Sequence, residues 1–338
     1  MDFSALVEAM KDPDFYPHPV ADVAFIQTHV SAVFLTGEFV YKLKKPVDFG
    51  FLDFSTEALR RVNCEKEFTL NRRLAPEVYL RVAPISLEDG RATLDGPGDP
   101  IDWVVVMRQL DEDLLGPRVL AAGGLTSAKM DALVDTLVPF YENARTGPEV
   151  DRWGRPEVFK FTTDENFEQT AGNVGEAISR AAYDAIREFT NTFFETRQDL
   201  FQRRIAEGRI RECHGDLHLG NIFFLEKPVI FDCIEFNDRL SCTDVAADIG
   251  FLAMDLDFRG KPELAQRVID RFVEVSGDAE FPEIVGFYSC YRAYVRGKIA
   301  CFTAADPALD EGARKEQIRL ASRYFDLAFR YAGGSEGA

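Results

Sequence analysis

His214-Gly215-Asp216-Leu217-His218-Leu219-Gly220-Asn221 is the stretch on which the fold turns, and the apolar run Val229-Ile230-Phe231-Asp232 follows it. His214, Asp216 and Asn221 fit the pattern H-x-D-x-x-x-x-N. Phosphoryl transfer to a hydroxyl needs a carboxylate beside the attacking oxygen and oxygen ligands for a magnesium ion on the phosphates. Asp216 has the position of the base and Asn221 that of a metal ligand. Asp232 closes a strand-like run that would aim a second oxygen at the same ion, and magnesium prefers oxygen. Taken one at a time, Asp and Asn are more often turn and cap residues. A rival reading takes His214-x-Asp216-x-His218 as metal-ligand spacing of the metallophosphoesterase kind. A dinuclear hydrolase needs several more ligands, and only His18 and His29 remain among the histidines.

The rest of the composition narrows the class. A chain of 338 residues, 46% of them hydrophobic, is long enough for two domains or one bilobal unit with a real core. The net charge of −18 disfavours nucleic acid and anionic membranes as partners. It would steer a cationic small molecule, although solubility alone accounts for it. No apolar run is long enough to span a bilayer. Met1-Asp2-Phe3-Ser4 does not open a secretory signal. Cysteines at 64, 213, 233, 242, 290 and 301 form no Cys-x-x-Cys pair, which fits reduced thiols and a cytoplasmic location. Nothing in the sequence speaks to oligomeric state.

Outward from the opening stretch, the first third reads as strands. Runs at 24–29, 31–36 and 39–45 precede a helix over 55–74, with Ser55 as its N-cap and Pro76 beyond its end. Runs at 79–85 and 101–109 are two more strands, the second so rich in Val that both its faces should be buried. The turn Asp95-Gly96-Pro97-Gly98-Asp99-Pro100 separates them. Helical patterns follow at 127–141 and 174–207, then two short strands at 221–225 and 229–233, then helices from 244 on. The tail from Gly333 to Ala338 should fray. The expected organisation is α+β, with a nucleotide-binding lobe at 1–108 and a mainly helical catalytic and acceptor-binding lobe at 109–338. The junction near 109–113 is the kind of place where ligand clefts form.

The 214–221 and 229–232 segments together resemble the aminoglycoside phosphotransferase and choline kinase superfamily. Val40-Tyr41-Lys42-Leu43-Lys44-Lys45-Pro46-Val47 and Asn71-Arg72-Arg73-Leu74-Ala75-Pro76 are similar to a largely uncharacterised bacterial branch of aminoglycoside phosphotransferase-like proteins. The likeness covers nearly the whole chain. It implies a protein-kinase-like bilobal fold with ATP, or GTP, and Mg2+ held between a small antiparallel-sheet lobe with one helix and a larger helical lobe. Asp216 then matches the catalytic base, and Asn221 and Asp232 the magnesium ligands. Lys42, or else Lys44, matches the phosphate-binding lysine; a solvated charge cluster is the alternative for both. Glu67, or else Glu65, is its helix partner. Met107 would flank the adenine, with hydrogen bonds from the backbone of Arg108 and Leu110. No G-x-G-x-x-G loop is present, and Thr28-His29-Val30-Ser31 stands in its place, with Ser31 as a candidate phosphate contact. Asp232 is followed by Cys233-Ile234-Glu235 rather than Phe-Gly, so a mobile metal-loop switch is not expected, and Glu235 is a weaker site candidate. An aspartate near 244–248 braces the catalytic loop in such proteins, and Asp248 fits that place. Some relatives carry an additional P-loop domain, but no G-x-x-x-x-G-K-[ST] occurs here. A small-molecule acceptor belongs on the helical lobe, where Trp153, Tyr288, Tyr291 and Tyr294 would line it unless they are core. A nucleotide-binding regulator with little turnover and a protein kinase are the competing readings; the second lacks an Ala-Pro-Glu close.

Overall fold

The structure is a computed structural model that describes residues 1–334, so the end of the predicted tail, 335–338, lies outside the described residues. Contacts group the chain into two units, Met1–Ala122 with Asn221–Asp238, and Gly123–Gly220 with the chain from Arg239 onward. The boundary expected at 108/109 therefore falls later. Residues 221–238, expected in the helical lobe, belong to the first unit. The reason is apolar: Val229 and Phe231 join Tyr79, Val105 and Met107 in one cluster.

The first unit begins with a helix that the sequence reading missed, α1 (Phe3–Met10), started by the Asp2 carboxylate on the Ala5 N–H. Its strands are β1 (Ala24–Gln27), β2 (Ser31–Leu35) and β3 (Phe39–Lys44) before helix α2 (Glu57–Asn71). Then come β4 (Tyr79–Glu88), β5 (Arg91–Leu94), β6 (Pro100–Arg108) and the short helix α3 (Gly116–Ala121). They form one antiparallel sheet in the order β1-β2-β3-β6-β4-β5. β5 was missed because it is short and half exposed. The period of two sorts β6 cleanly. Val104 and Val106 meet the cluster that contains α1, while Val105 and Met107 meet the cluster that contains Cys64 of α2. In β3, Tyr41 and Leu43 face the first cluster. Val40, Lys42 and Lys44 share the opposite face.

Helix α2 starts one residue later than predicted, because Thr56 rather than Ser55 caps the Leu59 N–H, and it ends at Asn71. Its buried residues are Arg60, Cys64, Glu67 and Asn71, a helical stripe that is mostly polar. Such a stripe requires partners at every step. Arg60 has its partner in Asp102, at 2.9 Å.

The second unit opens with α4 (Ser127–Glu142), α5 (Pro148–Asp151), α6 (Pro156–Thr170), α7 (Arg180–Thr196), α8 (Gln198–Ala206) and strand β7 (Ile210–Glu212). The long helix read at 174–207 is two helices, because α7 starts only after its cap Ser179 and Arg197 leaves helical geometry before α8. The hairpin β8 (Ile222–Phe224) and β9 (Pro228–Ile230) belongs to the first unit. The chain then continues through α9 (Asp238–Ser241), β10 (Cys242–Asp244), α10 (Val245–Phe258), α11 (Pro262–Ser276), α12 (Phe281–Ala304) and α13 (Glu311–Tyr331). Strand β10 pairs with β7, and α12 packs along α10 and α13. All six cysteines are buried thiols outside any disulfide. Among the described residues no helix is long and apolar enough to cross a membrane.

Candidate active site

In the first unit, five charged side chains form a line. Asp232 Oδ1 accepts from Lys42 Nζ at 2.5 Å, and Lys42 Nζ also donates to Glu67 Oε1 at 2.8 Å. Glu67 Oε2 accepts from Lys44 Nζ at 2.7 Å, and Lys44 Nζ donates to Glu235 Oε1 at 2.5 Å. Both lysines therefore engage one glutamate, each through a different oxygen. Glu65 instead lies exposed against Arg61. The side chains of Lys42 and Lys44 are 16% and 2% exposed, so the solvated-cluster reading does not hold for these two. Burial opposes ionisation of Glu67, but the two ammonium groups prevail and hold its pKa down at about 2. Burial likewise opposes the charge on Lys42, and Asp232 and Glu67 outweigh it and raise its pKa. Glu235 goes the other way, raised by burial, with the Glu67 charge adding to it against Lys44.

The segment after Asp232 is pinned residue by residue. The Asp232 N–H donates to Tyr79 Oη, and the Cys233 N–H donates to Oδ1 of the buried Asn71 at 2.8 Å. Glu235 is held by Lys44, and Asn237 Nδ2 donates to Phe51 O. Asp232 itself has φ of 67°, which is uncommon for a residue with a Cβ. Asn221 sits opposite the residue before it, with Asn221 O accepting the Phe231 N–H at 3.1 Å. The two expected metal ligands thus lie side by side at the open end of the β8–β9 hairpin. Two oxygen donors there fit magnesium, which keeps several waters and binds phosphates besides one or two protein ligands. Among the described residues no three His, Cys, Asp or Glu side chains gather as a metal site, so the dinuclear-hydrolase reading lacks a ligand set.

In the second unit, the loop 214–220 is built around Asp216. Asp248 is fully buried on α10. Its Oδ2 accepts the His214 N–H at 2.7 Å and its Oδ1 the Gly215 N–H at 2.9 Å, while Tyr141 Oη also donates to Oδ2. Asp244 instead caps α10 through the Ala246 N–H. Gly215 has φ of 86°, a conformation that favours glycine. His218 Nδ1 accepts the Gly220 N–H, so the neutral ring carries its proton on Nε2, which lies 3.4 Å from Asp216 Oδ2. By the same argument His214 Nδ1 accepts the Asp216 N–H. Both histidines orient the loop. Burial raises the Asp216 pKa, but His218, Arg296 and His214 together bring it well below the usual carboxylate range.

Two sequence expectations need correction. Ser31 is buried, its N–H donates to Thr28 Oγ1, and its hydroxyl does not reach solvent, so it is not placed to touch a phosphate. The Thr28 hydroxyl also takes the Val30 N–H, closing the turn on itself. The Arg108 N–H is taken by Val78 O at 2.8 Å, so it is no donor for a base. Met107 is buried in the cluster that includes Leu110. Of the aromatic candidates, Tyr288 and Tyr294 are core residues. Trp153 packs against the Val150, Ile210 and Cys242 cluster, and Tyr291 is half-buried. Asn71, Tyr79 and Arg296 were missed. Their partners are far away in sequence, so no local pattern marks them.

Residues 149–281 match the model of the phosphotransferase enzyme family. The chain also superposes on the GDP complex of aminoglycoside 2'-phosphotransferase-IIIa with a TM-score of 0.56, covering 96% of this chain and 99% of that one at 14% identity. Residues 149–281 are thus similar to the phosphotransferase enzyme family, and the chain shares the fold of kinase-like phosphotransferases. A choline/ethanolamine kinase family protein from Mesorhizobium loti superposes with a TM-score of 0.51, over 97% of this chain and 98% of that one, again at 14% identity. At that identity the two structures show the fold, which is the protein-kinase-like one expected. Uncharacterized proteins of Mycobacterium tuberculosis (strain H37Rv) and Mycobacterium bovis are 34% identical over 328 residues, or 95% of this chain. The chain spans 64% of the length of these curated relatives.

Proposed function

We propose that the protein transfers the γ-phosphoryl group of ATP, or of GTP, to a hydroxyl of a small molecule with the help of magnesium. The observation that carries this reading is Lys42 Nζ held between Glu67 and Asp232, at 2.8 and 2.5 Å. A lysine aimed by a helix glutamate at a metal-binding carboxylate is the arrangement that orients nucleotide phosphates. The aminoglycoside 2'-phosphotransferase with GDP bound supports a nucleotide for this fold and keeps GTP beside ATP.

Asn221 and Asp232 would hold the magnesium ion, which supplies neutralisation of the phosphate oxygens. Lys42 adds a point charge to the same oxygens, and Glu67 fixes its direction. Asp216 accepts a hydrogen bond from the acceptor hydroxyl and aligns it for attack. Its depressed pKa keeps it ionised and makes it a weak base, so the hydroxyl proton reaches it late, after the bond to the leaving group has loosened. His218 holds the carboxylate through Nε2. Met107 and the backbone of Leu110 are our assignment for the base-binding edge. Six buried thiols outside any disulfide fit a reducing cytoplasm, and the acidic composition fits a small-molecule rather than a nucleic-acid partner.

The test is ADP release with magnesium, ATP or GTP, and pooled hydroxyl-bearing metabolites and aminoglycosides. Asp216→Asn should lower kcat by roughly 10²- to 10⁴-fold with nucleotide affinity retained. Turnover that survives this substitution unchanged would remove Asp216 as base.

A further inference from the structure

Helix α10 meets the loop at 214–220 in more than one place. Asp248, Phe251 and Asp255 stand at i, i+3 and i+7, so they share one face of the helix, about 10 Å from end to end at 1.5 Å per residue. All three are buried, with at most 3% exposed. Asp248 takes the His214 and Gly215 N–H groups at the start of the loop. Phe251 packs on the His218 ring, with centroids 5.5 Å apart. Asp255 reaches the far end, where its Oδ2 accepts the Leu219 N–H at 3.0 Å. One stripe of α10 thus holds the loop at both ends, with an aromatic ring between the two carboxylates.

The Leu219 end is where the His218 ring is fixed. Leu219 is fully buried and opens a 3-10 turn, so its N–H has no partner inside that turn and depends on Asp255. The next N–H, that of Gly220, donates to His218 Nδ1 at 3.0 Å. The backbone at 220 comes so close to the ring that a Cβ there would lie 2.7 Å from His218 Cε1. With Nδ1 occupied, the neutral ring has its proton on Nε2, 3.4 Å from Asp216 Oδ2. Asp255 is also bound by Arg259, whose Nε lies 3.0 and 3.1 Å from its two oxygens, and its charge acts on Arg296. That ion pair does not account for where Asp255 sits. Arg259 is one turn along the same helix and 30% exposed, and an i, i+4 pair forms on a helix surface without a buried carboxylate.

Resting on the phosphotransfer reading above, we propose that Asp255 is a positioning residue for the base. Through the Leu219 N–H it fixes the end of the loop. Gly220 then holds the His218 ring in one tautomer and one direction, and His218 Nε2 holds the Asp216 carboxylate. Asp255 itself touches no reacting group. What this role requires of it is an oxygen at the right distance from Leu219, not a charge.

The experiment compares Asp255→Asn with Asp255→Glu in the full chain. Asparagine keeps an oxygen for the Leu219 N–H and gives up the charge. Glutamate keeps the charge and the pairing with Arg259 but carries its oxygens one methylene further. The first readout needs no turnover. It is long-range 1H–15N correlation on protein labelled at its four histidines, at about pH 8, where an ordinary imidazole is neutral. The His218 signals are identified by their loss in His218→Gln. Wild type and Asp255→Asn should show only the Nε2–H form of His218, and Asp255→Glu should show both tautomers. The second readout is ADP release with magnesium, ATP and the best acceptor. Asp255→Glu should lower kcat roughly 10- to 100-fold, the scale for misplacing a catalytic group by about 1 Å, with the KM for ATP unchanged. Asp255→Asn should stay close to wild type. If Asp255→Glu does not fold, Asp255→Ser, whose hydroxyl is too short to reach Leu219, takes its place with the same expectations. A kcat for the glutamate variant that equals or exceeds that of the asparagine variant overturns the inference and assigns Asp255 to its ion pair. A single Nε2–H tautomer in Asp255→Glu overturns it too, as does a mixture in Asp255→Asn. If no acceptor turns over, the kinase reading fails by itself and the tautomers alone decide the role of Asp255.

Discussion

Glu67 shows how much one buried side chain organises. Each of its oxygens faces a different lysine, and its burial is tolerable only because both ammonium groups are there. Its folded pKa of about 2 lies below the ordinary 4.5, so its carboxylate contributes stability that is fully present above about pH 4.5. That stability drains away as pH falls through the folded value, because the unfolded chain takes up the proton first. Urea melts between pH 3 and 6 should therefore show wild type losing stability relative to Glu67→Gln as the solution is acidified. Equal slopes for the two proteins would mean that the lysines do not hold Glu67 ionised. Glu235 has the opposite sign, since its raised pKa makes its share of stability fall as pH rises through its folded value.

At the scale of elements, a loop of irregular backbone is made rigid by a helix behind it. Asp248 stands on the first turn of α10 and receives two successive N–H groups from the 214–215 corner. The corner needs Gly215 to turn with positive φ, and it needs Asp248 because those N–H groups have no strand to pair with. Asp248→Ala should leave two buried donors unmet and cost about 2 to 4 kcal/mol of stability, at the usual 1–3 kcal/mol for each unmet group less some relaxation. It should also lower kcat more than nucleotide affinity, measured by ADP release beside nucleotide calorimetry. An unchanged kcat would show that the loop holds its shape without the brace. The loop after Asp232 follows the same logic with side chains of β3, α2 and β4, which is how it manages without the Phe-Gly of a switching loop.

At the scale of the molecule, each unit has its own buried charge centre. In the second, Arg204 of α8 is wholly buried between Asp244, the cap of α10, at 2.6 and 2.7 Å, and Asp278, at 2.7 Å. It ties together three segments that no apolar pattern joins. Arg204→Met keeps most of the volume but strands two buried carboxylates, so unfolding by urea should show a loss of about 3–5 kcal/mol. A near-neutral result would mean that Asp244 and Asp278 find water or protonate instead. The sequence by itself determined the spacing that makes Asp216, Asn221 and Asp232 the candidate site residues, the strand-rich first third, and the buried β6, because spacing and hydrophobic period are local properties. It also brought Lys42 and Lys44 to one strand face, as a period of two must. Only the tertiary structure decided that both lysines share Glu67, that Glu65 is left outside, and that Ser31 and the Arg108 N–H are engaged elsewhere. Only it moved 221–238 into the first unit and gave Asp232 its support in Tyr79 and Cys233 its support in Asn71. Those choices depend on which groups meet once the chain is folded, where burial forces each charge and each N–H to find a partner, and no periodicity records that.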